Sequence, residues 1–159
     1  MTHMTPAPRD VDRVQAIVEA HAGTAGPLLP VLHDVQREFG FVSEDALRTI
    51  AAALNLSRAE VHGVASFYHD FRHAPAGRHV LKICRAEACQ SVGGDALAER
   101  AATKLRIAMG ETSADGAVTL EAVYCLGLCA CGPAAMMDGR LVGRLDESKI
   151  DRFAVECGR

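Results

Sequence analysis

The chain has 159 residues, enough for one domain or two small ones. Hydrophobic residues make up 49%, yet there are only five Phe, two Tyr and no Trp, so the core rests on Leu, Val, Ile and Ala. A net charge of −3 excludes a general nucleic-acid binder, which carries a basic excess. No apolar run approaches the roughly 20 residues of a membrane span, and the start lacks a secretory signal, so a cytoplasmic protein is expected.

Met1–Arg9, with Pro6 and Pro8, reads as a loose tail. From Asp10, Val11, Val14, Ile17 and Val18 recur at helical spacing, and Gly23, Gly26 and Pro27 end that helix. A second helix is predicted over Leu28–Phe39, closed by Gly40. Ser43 is placed to cap a third over Glu44–Leu54, which Asn55 breaks. Ser57-Arg58-Ala59-Glu60 has capping-box form and starts a fourth helix, running through Tyr68. A linker follows over His73–Arg78.

The pattern then changes. His79–Cys84 reads as a strand, Val92–Met109 as a long amphipathic helix closed by Gly110, and Val118–Tyr124 as a second strand. Met136–Val142 reads as a hairpin around Asp138-Gly139, a pair that supplies the φ > 0 turn. Ser148–Cys157 is a final helix. The expected organisation is a tail and helical bundle over 1–76 and a β-α-β-β-β-α domain over 77–159.

All six cysteines, at 84, 89, 125, 129, 131 and 157, fall in the second half. Without a secretory signal, clustered cysteines point to metal or redox chemistry rather than to disulfides. Cys84 and Cys89 begin where one predicted strand ends; Cys125 and Cys129 begin where the next ends. A helical crossover makes those strands parallel, so both pairs reach one sheet edge, where open α/β sheets place ligands. Gly93, Gly94, Gly127 and Gly132 would let backbone come close to such a site, and Cys89 would feel the positive end of the following helix.

Four thiolates suit a structural zinc or an iron–sulfur cluster. Spacings of four and three residues are wider than zinc knuckles and better suit a binuclear cluster with two cysteines on each iron. Thiol–disulfide chemistry is disfavoured because no Cys-x-x-Cys is present. Cys131 reads as a packing residue or an alternative fourth ligand, and Cys157 as a non-ligand. His62, His69, His73 and His79 read as surface or interface residues, Met136 and Met137 as strand and core, and Arg85 and Glu87 as solvent-facing. A charge at Arg85 would still bias a neighbouring potential upward and one at Glu87 downward. Phe67, Tyr68 and Phe71 outline a docking surface. No Gly-x-Gly-x-x-Gly loop is present, so nucleotide binding is not assigned to this chain.

The Cys-x4-Cys … Cys-x3-Cys pattern on a β-α-β-β-β-α unit resembles the thioredoxin-like [2Fe–2S] ferredoxins, which include the 24-kDa subunit of NADH dehydrogenase. The resemblance extends through Leu29-Pro30-Val31-Leu32, Gln36, Phe39-Gly40-Phe41-Val42 and Val61–Tyr68. Within that family, Ile83–Gln90 and Cys125–Pro133 are most similar to the γ subunit of soluble NAD-dependent formate dehydrogenases. The resemblance implies one [2Fe–2S] cluster on Cys84, Cys89, Cys125 and Cys129, and an electron carrier with no substrate site or catalytic residue of its own. It further implies a partner subunit that binds FMN and NAD, on which the helical half docks. A second partner would oxidise formate at a molybdenum centre. Respiratory NADH dehydrogenase and hydrogenase diaphorase are the alternative parent complexes, and a zinc-stabilised interaction module is the alternative outside redox chemistry.

Overall fold

A computed structural model describes residues 8–159, which fall into two compact units dividing between Pro75 and Ala76. The first holds α1 (Pro8–Ala20), α2 (Leu28–Phe39), α3 (Glu44–Ala53) and α4 (Arg58–Phe67). Of the expected tail, residues 1–7 lie outside the described residues; α1 has already begun at Pro8.

Local chemistry explains the helix ends. The Ser43 hydroxyl accepts from the Ala46 N–H. Ser57 and Glu60 form the reciprocal capping box, satisfying two amides the helix itself leaves unpaired. Gly40 ends α2 in the left-handed conformation, its N–H donating to the Gln36 carbonyl at 2.7 Å. Val14, Val31, Leu32, Val35, Leu47, Ile50 and Val61 interlock as an aliphatic core. The Gln36 amide ties α2 to the segment beyond α4: it donates to the Asp70 carbonyl at 2.7 Å and accepts from the Arg72 N–H at 2.6 Å.

The second unit holds β1 (His79–Cys84), α5 (Glu87–Gln90), α6 (Gly94–Leu105), β2 (Val118–Val123), a 3-10 turn at Cys129–Cys131, β3 (Ala135–Met137), β4 (Arg140–Val142) and α7 (Glu147–Glu156). One mixed sheet has the order β2-β1-β3-β4. β1 and β2 are parallel, in register from His79↔Val118 to Cys84↔Val123, and β3 and β4 add antiparallel. Asp138 and Gly139 both have positive φ and close the β3–β4 hairpin. Leu81, Ile83, Leu105, Leu120, Ile150 and Phe153 form the core between sheet and helices. The order of elements is the β-α-β-β-β-α arrangement expected from the sequence.

Three readings need correction. The long helix expected over Val92–Met109 is shorter, α6 over Gly94–Leu105, begun after Gly93 with φ of 90°, and a separate turn of helix, α5, precedes the expected span. Arg106, left-handed with φ of 57°, ends α6, not Gly110. Phe71 is buried against His33 with ring centres 4.9 Å apart, so only Phe67 and Tyr68 of the aromatic trio remain exposed. No helix among the described residues is long and apolar enough to cross a membrane.

Candidate metal centre

β1 ends on Cys84, and the one-turn helix α5 carries Cys89. Both are buried, at 2% and 1% exposure, beside Ala134 with Ala86, Val123, Leu126 and Leu128 packed around them. Cys125 follows β2 by two residues and Cys129 opens the 3-10 turn; both are exposed. The Cys125 and Cys129 Sγ atoms are 3.9 Å apart. Two sulfurs on one tetrahedral metal with bonds of about 2.3 Å lie about 3.8 Å apart, so this pair already spans one edge of such a coordination shell. Among the described residues no three His, Cys, Asp or Glu side chains converge on one point, as a mononuclear site requires.

Backbone geometry places the loops. The Cys84 N–H donates to the Ala134 carbonyl at 2.9 Å and the Arg85 N–H to the Val123 carbonyl at 2.8 Å, tying the first cysteine to the strand that precedes the second pair. Cys125 has φ of +82°, a conformation that costs a non-glycine residue energy and that persists only where its surroundings impose it. A Cβ on Gly94 would lie 2.6 Å from the Cys89 carbonyl oxygen, so only glycine lets α6 start this close to the cysteine turn. Gly93 and Gly127 serve differently: both have positive φ and open space around them. The Gly132–Pro133 peptide is cis.

The thiols sense one another electrostatically. Burial raises the Cys84 thiol pKa, but the Ala86 amide, the Cys89 thiol and the amides of Cys125 and Leu126 outweigh it and leave the thiol below its ordinary value. Burial and then the Cys84 thiol push Cys89 up, with a further contribution from Cys129. Cys125 and then burial push Cys129 up, as does Cys84. Cys84, Cys89 and Cys129 therefore lie within mutual electrostatic reach, and Cys125 within reach of Cys129. The upward shift of Cys89 corrects the expectation that a helix end would ease its ionisation: burial dominates, and its carbonyl is what meets α6.

The remaining candidates fall elsewhere. Cys131 is half-buried, and a Cβ on Gly143 would sit 3.0 Å from its own Cβ; its carbonyl accepts from the Arg144 N–H. Cys157 is buried in the core beneath the sheet, where desolvation pushes its thiol up to about 11. His62, His69 and His73 are exposed in the helical unit. His79 stands at the start of β1, at the opposite end of that strand from Cys84, 2.9 Å from Asp138. Met136 and Met137 lie in β3. Glu87 is exposed, whereas Arg85 is not solvent-facing: it is half-buried and its Nε lies 2.9 Å from Asp95 Oδ1. That pair joins residues ten apart through tertiary structure, and an Arg beside one cysteine with an Asp at the next helix start was its only trace in the sequence.

Residues 14–157 match the family model described as thioredoxin-like [2Fe-2S] ferredoxin. The chain belongs to the thioredoxin-like [2Fe–2S] ferredoxin family. An NADH-quinone oxidoreductase subunit of Mycobacterium tuberculosis is 36% identical over 122 residues, covering 77% of this chain and 48% of that protein. This chain thus spans about half the length of its mycobacterial relatives. The corresponding NADH-quinone oxidoreductase subunit of Rhizobium meliloti is 32% identical, covering 88% and 83%. The NADP-reducing hydrogenase subunit HndA of Solidesulfovibrio fructosivorans is 28% identical, covering 90% and 84%. The crystal structure of an air-oxidized NAD+-reducing [NiFe]-hydrogenase superposes with a TM-score of 0.72 at 28% identity, covering 83% of this ferredoxin-family chain and 23% of the other.

Proposed function

We propose that this chain is the electron-transfer subunit of a flavin-linked, NAD-dependent oxidoreductase, with one [2Fe–2S] cluster held by Cys84, Cys89, Cys125 and Cys129. The observation that carries the reading is the placing of two cysteine pairs at the C-terminal ends of adjacent parallel strands, one buried and one exposed. Two pairs suit two metals. When bound, the cluster supplies one-electron chemistry. The chain's own part would be to hold it: Cys84 and Cys89, buried among alanines and aliphatic residues, and Cys125 and Cys129, exposed to solvent, would supply the sulfurs. The amides of Ala86, Cys125 and Leu126 stabilise negative charge on the Cys84 sulfur. The proposed partner subunit carries FMN and NAD, and the proposed setting is the cytoplasm.

The finer reading is the γ subunit of a soluble formate dehydrogenase, whose further partner holds a molybdenum centre. It is supported by the sequences Ile83–Gln90 and Cys125–Pro133. The relatives named above, subunits of NADH-quinone oxidoreductase and of hydrogenase, support the coarser reading equally under either parent complex.

Anaerobic reconstitution of the full chain tests the centre. Two iron and two sulfide per chain, with an electron paramagnetic resonance signal after reduction, are expected. A colourless chain with one tightly held zinc would overturn it. Purification of the chain with its native partners tests the parent complex. Molybdenum and formate-dependent NAD reduction support the finer reading; hydrogen- or quinone-linked activity without molybdenum refutes it.

A further inference from the structure

Arg85 stands at a junction. It follows Cys84 directly. Its N–H donates to the Val123 carbonyl at 2.8 Å, at the end of the strand that leads to Cys125. Its carbonyl accepts from Gln90 Nε2 at 2.8 Å, one residue past Cys89. Its guanidinium Nε lies 2.9 Å from Asp95 Oδ1 in the first turn of α6, and both atoms are shielded from solvent although each side chain is partly exposed. Asp95 follows Gly94, the residue pressed against the Cys89 carbonyl. Arg85 is thus joined through the chain to one cysteine of the inner pair, and Asp95 through Gly94 to the backbone of the other.

Resting on the cluster reading above, we infer that Arg85 and Asp95 act together as a positioning pair that clamps the Cys84–Cys89 loop to α6 and cancels charge beside the cluster. Charges shielded from water act on neighbours more strongly than solvated ones. The intact pair contributes no net charge, and removing one member leaves a full unit charge on the segments that carry and contact the inner cysteine pair. Reduction adds an electron, so a lone Arg85 favours the reduced form and a lone Asp95 the oxidised form. Glu87 and Gln90 also belong to this loop, but Glu87 is solvent-exposed and Gln90 uncharged, so neither replaces a lost partner.

The experiment is a redox titration of the reconstituted full chain and three variants. At a fixed ambient potential, Asp95→Asn is expected to shift the reduced-to-oxidised ratio up by about three- to tenfold. Arg85→Gln is expected to shift it down by a similar factor. The double variant should return to within about twofold of the parent, because the charges cancel in pairs. A threefold change corresponds to about 28 mV for a one-electron couple. Loosening alone would move both single variants in the same direction and leave the double variant worst. That result, or no shift in either single variant, overturns the inference. The clamp is read separately in the cluster-free chain. Alkylation of Cys89 by N-ethylmaleimide should rise about fivefold or more in Arg85→Gln, because the loop opens locally more often, while Cys125 and Cys129 react as before. An unchanged Cys89 rate overturns the clamp. Failure of the parent chain to take up iron and sulfide would refute the cluster reading instead, and the alkylation result would still stand.

Discussion

Among the described residues of the helical unit, one non-glycine residue, Asn55, has a left-handed backbone, whereas the sheet unit has four: Arg106, Cys125, Asp138 and Arg144. In the helical unit, serine caps and a glycine terminator serve the helix ends where such residues ordinarily serve them. In the sheet unit the irregular positions include one of the cysteines and the residue hydrogen-bonded to Cys131. Regular secondary structure builds a core, but the loop that carries Cys125 takes a backbone shape that helices and strands do not supply. Cys125 is one of the proposed ligands and Arg144 bonds to Cys131, whereas Arg106 ends a helix and Asp138 closes a hairpin.

Mutations can break or sharpen that contrast. The largest effect is expected at the cysteines. Cys129→Ala should cut bound iron more than tenfold after reconstitution, while Cys131→Ala should retain iron and its resonance signal; the reverse would reassign the fourth ligand. Next come the cores. Leu47→Ala, at a fully buried site in the helical unit, should cost about 2–5 kcal/mol. Hydrogen exchange should rise in α1–α4, and the absorption of a reconstituted cluster should stay unchanged. Ile150→Ala under the sheet should cost a similar amount and also lower cluster retention. An equal loss of cluster in both variants would erase the distinction between the units.

Glycines give a smaller, signed test. Gly63→Ala, in open space within α4, should stabilise the chain by up to about 1 kcal/mol. Gly94→Ala should destabilise it by about 1–3 kcal/mol, because the new methyl meets backbone. Thermal melts of both variants, side by side, check the signs. At the helix caps, Ser57→Ala should cost about 1 kcal/mol by denaturant titration.

The smallest effect is at Asp146, which caps α7. The Ser148 hydroxyl and the Lys149 amide lower its carboxyl pKa from 3.8 to about 2. A lowered folded-state value means that its contribution is complete above about 3.8 and is lost as pH falls through about 2. Asp146→Asn should remove that acid-side step from the pH dependence of unfolding, while the cap itself is kept.

How much of this was visible beforehand follows the same contrast. The Ser57–Glu60 box, the Gly40 stop and the Asp138-Gly139 turn each act within a few residues, so the sequence displays them. The two strands and their parallel pairing were likewise legible, and with them the approach of the cysteine pairs to one edge. The turn of helix carrying Cys89 was not, because four residues are too few to show a period. Nor was the left-handed Arg106, since arginine carries no signal for that conformation. The Arg85–Asp95 contact and the burial of Phe71 depend on where distant segments come to rest, which no local pattern records.

The hairpin turn at Asp138-Gly139 has a practical consequence. β3 runs antiparallel to β1, so its first residues lie beside Cys84 and its last lead into a turn next to Val80, near the start of β1. A six-residue strand spans roughly 20 Å. A peptide tag, fluorophore or surface tether introduced into that turn would therefore report on the molecule, or immobilise it on an electrode, from the far end of the sheet, leaving the cysteine edge clear.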